Sequence, residues 1–258
     1  MLTIEQHDEI VEQAKGFSFT SLQYPDYETD KHHTVSYCGE NGILLFEDMR
    51  DPSPVHWAVN DVNTLVSLLN NAPTNIVVPF VPREFVAALE KAGFFILGEF
   101  ADYFNLHLLE TANGIAPRDL VYLNKAETEK AAEISMKVRG QSRGFMGETA
   151  QWFCEWMEQG HVLAMRTNGE LAGVCCVTVY NEGTTLWVRE IAVLPNLQRK
   201  GYGRKLMEQA ILYGAKHGAT KGFLAADLKN KNAIALYESL GFLRRGDETE
   251  IQMARGNF

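Results

Sequence analysis

Two hydrophobic periods alternate along the second half of the chain. Ala131, Ile134 and Val138 recur at helical spacing and predict a helix from Glu127 to Arg139. A second helix is expected over Glu148–Gln159, carrying Trp152, Phe153, Trp156 and Met157. Strands then read as His161–Thr167, Leu171–Tyr180 and Thr184–Leu194. They are joined by Asn168-Gly169 and Asn181-Glu182-Gly183, residue types that form tight hairpin turns. Leu206, Met207, Ala210, Ile211 and Gly214 share one face of a helix over Gly203–His217. A strand at Lys221–Asp227, a helix at Lys231–Leu240 and a pair of strands within Gly241–Arg255 follow, and a short strand is expected at Asp119–Leu123. Hairpins followed by strand–helix–strand units predict a mixed α/β sheet.

The first half is less regular, but its later part repeats the same order. A strand at Pro54–Asn60 leads to a helix at Val62–Asn70, a strand at Asn75–Phe80 and a helix at Arg83–Lys91. Gly93-Phe94 then opens strands that end near Leu109. The order matches Thr184–Arg255 and predicts an internal duplication. A Gly- and Pro-punctuated stretch at 111–118 separates the copies, which sets the expected domains at 1–115 and 116–258.

Charge sharpens that division. Residues 1–115 hold 5 Lys and Arg against 17 Asp and Glu, while residues 116–258 hold 19 against 16. The whole chain carries a net charge of −9, and no strongly basic face is available to neutralise phosphates, so nucleic acid is not expected as a partner. No apolar run approaches the roughly 20 residues of a membrane helix. The segment Met1–Glu12 lacks the basic-then-apolar order of a secretory signal, so a cytoplasmic protein with no membrane partner is expected. Cys38 and Cys154 stand alone, and Cys175 and Cys176 point to opposite faces of one strand, so four free, buried thiols are expected. His32-His33 has no partner at ligand spacing and reads as an exposed loop, so no metal site is expected.

The densest chemistry lies in Val193-Leu-Pro-Asn-Leu-Gln198-Arg-Lys-Gly201-Tyr-Gly203-Arg204, where a strand ends and an amphipathic helix begins. Glycines allow tight turns and close approach of a ligand. The following helix offers unpaired N–H groups and the positive end of its dipole. Arg199, Lys200 and Arg204 add charge, and the whole is suited to a pyrophosphate. A plain Gly-rich turn with exposed basic residues is the alternative.

This stretch resembles the acetyl-CoA signature of the GCN5-related N-acetyltransferase (GNAT) superfamily, a Gln/Arg-x-x-Gly-x-Gly/Ala loop after a strand. A second block, Asn230-Lys-Asn-Ala233-Ile-Ala-Leu236-Tyr237-Glu-Ser-Leu-Gly241-Phe242, stands where that family would have it. The resemblance covers about residues 119–255. It implies the mixed-sheet acyl-CoA N-acyltransferase fold, here as two tandem modules, with acetyl-CoA as cosubstrate. It further implies that backbone groups of Ile191, Ala192 and Val193 pair with the pantetheine arm. Gln198 and the amides of Arg199, Lys200, Gly201, Tyr202, Gly203 and Arg204 would hold the pyrophosphate. Asn230 would contact the pantetheine, and Tyr237 would protonate the leaving thiolate.

A tyrosine of pKa about 10 is protonated at neutral pH and can serve as that donor, although a core aromatic is the plain alternative. Glu190, in the strand leading to Val193, is the candidate base for the amine, with a water relay or a simple pairing with Arg189 as alternatives. In the first half the corresponding turn reads Val59-Asn60-Asp61-Val62-Asn63, with no glycine and an acid where phosphate would lie. A degenerate, non-catalytic module is expected there, and a catalytic one after it. The expected partner is a small-molecule or peptide amine, cationic if the acidic half faces the acceptor. An acyl-CoA sensor and a protein-interaction module are the rival readings, and the oligomeric state is left open.

Overall fold

A computed structural model describes residues 1–25, 27–47, 50–139 and 147–257. The chain forms two compact units, residues 1–99 with 250–258, and residues 100–249. The break at 111–118 is therefore not where the units part. It overlaps the end of helix α5 (Leu108–Asn113), whose Leu108 and Ala112 belong to the core of the second unit. The chain passes from one unit to the other inside a strand, β6 (Phe95–Asn105), and returns at Glu250.

The first unit opens with α1 (Ile4–Ala14), started by a Thr3–Gln6 capping box. Then come β1 (Phe19–Thr20), α2 (Tyr27–Asp30), the hairpin β2 (Thr34–Gly39) and β3 (Gly42–Phe46), β4 (Ser53–Val59), α3 (Val62–Leu69), β5 (Ile76–Val78) and α4 (Val86–Lys91). Its sheet runs β2-β3-β4-β5-β12, where β12 (Glu250–Arg255) is the last strand of the chain. The ladders are antiparallel, antiparallel, parallel and antiparallel in that order. Period-two alternation along β4 sends Val55, Trp57 and Val59 into a core with α3 and α4, and Ala58 into a smaller core with α1. The helices thus cover both faces.

In the second unit α5, α6 (Thr128–Lys137) and α7 (Ala150–Gln159) precede β7 (His161–Thr167), β8 (Glu170–Tyr180) and β9 (Thr185–Val193). They are followed by α8 (Tyr202–Lys216), β10 (Lys221–Asp227), α9 (Lys231–Glu238) and β11 (Leu243–Arg244). The sheet order is β7-β8-β9-β10-β6, and the ladders again run antiparallel, antiparallel, parallel, antiparallel. Each sheet therefore takes its fifth strand from the other half of the sequence. The strand expected at 119–123 is only a bridge from Tyr122 to Leu163, because Val121 spends its N–H on the Gln209 side chain. Cys175 and Cys176 point to opposite cores as expected, while Cys38 is exposed rather than buried. No helix of the described residues is long and apolar enough to cross a membrane.

Helix α8 lies close on the sheet because Gly214 has no side chain. A Cβ there would stand 2.9 Å from Leu186 Cβ and 3.1 Å from Leu108 Cδ2. Alanine gains about 1 kcal/mol of helix propensity over glycine, but overpacking a core costs about 1–3 kcal/mol, and a Cβ tied to strand backbone yields little. The clash wins. Gly214→Ala is expected to lower Tm by about 2–4 °C in thermal unfolding; an unchanged or raised Tm would show that α8 can lift from β9.

Candidate active site

Strands β9 and β10 are paired in parallel only at Thr185–Trp187 and Lys221–Phe223. Beyond these residues they part, and a cavity of about 230 Å³ opens between Val188–Val193 on one side and Leu224–Asp227 on the other. The far edge of β9 stays paired to β8 as far as Val193. Backbone groups on the near edge are thus left facing the cavity, an arrangement suited to an extended ligand. A bulge sets the local twist: Glu190 pairs with Cys176 and Val188 with Val177, so Arg189 is the extra residue.

One end of the cavity reaches the turn into α8. Pro195–Leu197 form a 3-10 turn, and Gln198 Nε2 donates to the Val193 carbonyl at 3.1 Å, tying the turn to its strand. Arg199 and Gly201 have φ of 62° and 82°. A left-handed non-glycine residue is uncommon, and the pair turns the chain sharply into the helix. Gly201 is the N-cap of α8, and no side chain among the described residues caps this end of the helix. A Cβ on Gly201 would meet nothing within 4 Å, so the glycine is required by its dihedral angle and not by crowding. Two of the basic side chains are engaged with α9 and its end: Arg199 Nη1 donates to Asn232 Oδ1 at 2.8 Å and Arg204 Nη2 to Ser239 Oγ at 2.6 Å. Lys200 is exposed.

Glu190, Ile191, Ala192, Val193, Gln198, Arg199, Gly203, Asn230 and Tyr237 all line the cavity. Lys200, Gly201, Tyr202 and Arg204 do not, and Tyr202 is turned to donate its hydroxyl to Thr167 Oγ1 at 3.3 Å. Asn230 caps α9, its Oδ1 accepting from the Ala233 N–H at 3.2 Å. Tyr237 is 7% exposed, and its hydroxyl makes no hydrogen bond among the described residues. Burial, helped by the neighbouring Cys175 and Glu190, raises its pKa well above the usual tyrosine value. Glu190 is 3% exposed and lies 3.9 Å from Arg189 Nη1. The site therefore holds a protonated phenol and a carboxylate beside an open strand edge and an uncapped helix N-terminus.

Residues 129–242, which contain every one of these groups, match the model of the Acetyltransferase (GNAT) family. The chain is also similar in fold to a GCN5-related N-acetyltransferase from Kribbella flavida, with TM-score 0.58 and 16% identity over 96% of both chains. A GNAT-family structure from Novosphingobium aromaticivorans gives TM-score 0.56 and 17% identity over 96% of this chain and 97% of that one. The family match thus rests on residues 129–242, and the solved structures show that the chain shares their fold. Among curated proteins, the [Ribosomal protein bS18]-alanine N-acetyltransferase of Escherichia coli K12 is 43% identical over 75 residues, 29% of this chain and 49% of that protein. The chain thus spans about half the length of the curated relatives it matches.

Within the matched segment Arg189 was expected only as a possible partner of Glu190, and its place in the cavity wall was not foreseen. Its guanidinium donates to Glu148 Oε1 at 3.2 Å and stacks over the Trp152 ring at 5.3 Å from the centroid, fixing one wall of the cavity. The visible signal was a pair of adjacent charges, Arg189-Glu190, inside an otherwise apolar strand. Val138, Asp227 and Asn232 also line the cavity, with nothing in the local sequence to single them out.

The first unit repeats the framework and differs at two decisive places. Helix α3 is capped by its own carboxylate, Asp61 accepting from the N–H groups of Asn63 and Thr64, and these bonds hold its pKa below the usual value. The turn after α4 matches the turn after α9: Gly93 and Gly241 have φ of 88° and 80°. The next N–H returns to the residue five back, Phe94 to Leu89 and Phe242 to Tyr237, both at 3.0 Å. Leucine thus occupies in one unit the place that tyrosine holds in the other.

Proposed function

We propose that the second unit binds acetyl-CoA where β9 and β10 part, and transfers the acetyl group to a primary amine in a ternary complex. The observation that carries this reading is the open edge of β9 running toward an α8 N-terminus that no side chain caps. Acetyl-CoA supplies a thioester already activated toward amines. Backbone groups of Ile191, Ala192 and Val193 bind the pantetheine and polarise the thioester carbonyl. The amides from Gln198 to Arg204, with the charge of Arg199, Lys200 and Arg204, receive the pyrophosphate, and Asn230 contacts the pantetheine.

Glu190, directly or through water, takes the proton released as the amine nitrogen bonds to the carbonyl carbon. Tyr237 gives its proton to the sulfur as the carbon–sulfur bond breaks, so the products are the acetamide and free CoA thiol. The raised pKa of Tyr237 keeps it protonated through neutral pH.

The first unit is read as a second, non-catalytic module in tandem. The repeated ladder pattern supports the duplication, and Asp61 and Leu89 support the loss of function.

The Escherichia coli relative's name gives the alanine of a ribosomal protein as its acceptor. A peptide α-amine is therefore the first acceptor to test, ahead of polyamines and amino acids. Release of free thiol from acetyl-CoA across an amine library tests the reaction. Tight acetyl-CoA binding with no release above hydrolysis for any amine would turn the reading to an acyl-CoA sensor. Glu190→Gln is expected to lower kcat/KM by about a hundredfold near neutral pH, within the usual reach of a general base. The loss should shrink as pH rises and the amine deprotonates by itself. A change below threefold at every pH would transfer the role to a water relay.

A further inference from the structure

His33 does not lie in an exposed loop. It is 2% exposed, and with Asp30, His56 and His7 it forms a buried cluster beneath α1 in the first unit, which contains none of the residues assigned to acetyl transfer. Asp30 ends α2, His33 follows one turn later with its N–H on the Asp30 carbonyl, and His56 comes from β4 on the face shared with Ala58. One donor atom each from Asp30, His33 and His56 falls within 4.8 Å of the other two.

The two spacings to the carboxylate suit ligands of one ion better than hydrogen bonds. Asp30 Oδ1 stands 3.7 Å from His33 Nδ1 and 3.5 Å from His56 Nε2, too far for hydrogen bonds of ordinary length. Around a tetrahedral ion with bonds of about 2.1 Å, neighbouring ligand atoms lie about 3.4 Å apart. Ser21 orients the His56 ring. Its Oγ accepts from the Trp57 N–H at 2.9 Å, donates to the Trp57 carbonyl at 3.4 Å and meets His56 Nδ1 at 3.2 Å. The ring is held so that Nε2 points toward the Asp30 carboxylate, 3.5 Å from Oδ1.

Both ring nitrogens of His7 and His33 are shielded from solvent and meet no hydrogen-bond partner in good geometry among the described residues, although the Asp30 and Pro54 carbonyls lie near the His33 ring. Burial pushes His33 down to about 4, and Arg50 and His32 act in the same direction. Burial, with His33 and His7 alongside, pushes His56 well below the usual histidine value. Arg50 opposes a cation, and the Asp30 carboxylate is the charge that offsets it.

We propose that Asp30 Oδ1, His33 Nδ1 and His56 Nε2 bind a divalent transition-metal ion of the zinc class, with His7 Nε2 standing 3.4 Å from Asp30 Oδ2 beside them. The donor set of two imidazoles and one carboxylate suits zinc and leaves one position for water. Such an ion pins α1, the segment through α2 and strand β4 to one another.

The test uses the full chain, stripped with a chelator and titrated with Zn²⁺ against a chromophoric competitor, with bound metal counted by mass spectrometry. One ion per chain is expected, with Kd below about 1 µM, together with a Tm raised by at least about 3 °C at saturating zinc. Asp30→Asn and His33→Gln should weaken binding by at least about a hundredfold, Ser21→Ala by about tenfold through misorientation of His56, and His107→Gln should change nothing. If the buried variants fail to fold, Co²⁺ in the wild-type protein decides instead, since a tetrahedral site gives intense visible absorption. Substoichiometric zinc, a weak octahedral Co²⁺ spectrum, or equal affinity in wild type and His33→Gln would overturn the site and leave a buried histidine–carboxylate cluster in its place.

Discussion

Tyr237→Phe is expected to lower turnover by one to three orders of magnitude while acetyl-CoA binds almost as before. The substitution removes one oxygen from a side chain that lines the cavity and makes no hydrogen bond with the described residues, so the packing around the ring is kept. What is lost is a proton donor to the departing sulfur, and general acid catalysis contributes about 10²–10⁴-fold where the leaving group needs it. A thiolate is a fair leaving group on its own, which sets the expectation toward the lower part of that range. Loss confined to kcat, with an unchanged acetyl-CoA dissociation constant, is the signature of a group that acts only in the transition state. Turnover equal to wild type, with chemistry shown to be the slow step, would return Tyr237 to a packing role.

Gly201→Asp is expected to weaken acetyl-CoA binding by at least about thirtyfold, ~2 kcal/mol, and to leave Tm within a few degrees of wild type. The new side chain has room, so the fold tolerates it apart from the cost of a left-handed residue, about 1 kcal/mol, which a capping carboxylate largely offsets. The damage is electrostatic. A carboxylate at the N-cap would accept the amides that the proposal reserves for pyrophosphate and would repel the ligand at close range. The variant would reproduce in α8 what Asp61 already does in α3. Isothermal titration with acetyl-CoA checks it, and a dissociation constant within threefold of wild type would remove the loop from the binding site.

Much of the second unit was legible because its elements are amphipathic and their ends are marked. His161–Thr167 and Lys221–Asp227 match the expected strands residue for residue. The α8 turn was legible because Gly201, followed by an amphipathic helix, leaves few other conformations. Two kinds of information were not local. The boundary between units lies inside β6, an unbroken strand from Phe95 to Asn105 marked at Glu99 only by the lone Gly98 before it, because the division is made by which strands pair and not by a linker. The burial of His33 was likewise hidden: its polar neighbours in sequence suggest solvent, while His7 and His56, which enclose it, come from a distant helix and strand. The Arg189 bulge was also invisible, since a bulge is a property of two strands together.

The pairing of β5 with β12 has a consequence during synthesis. Ile76 leaves the ribosome long before Arg255, its partner, has been translated. At the usual ~5–20 residues per second, the nascent first unit waits about 10 to 35 s with the edge of β5 uncovered. An uncovered strand edge is a template for pairing with other chains. The interval between those two residues, and not the folding rate of either unit, sets how long a newborn chain stays open to misassembly and to chaperones.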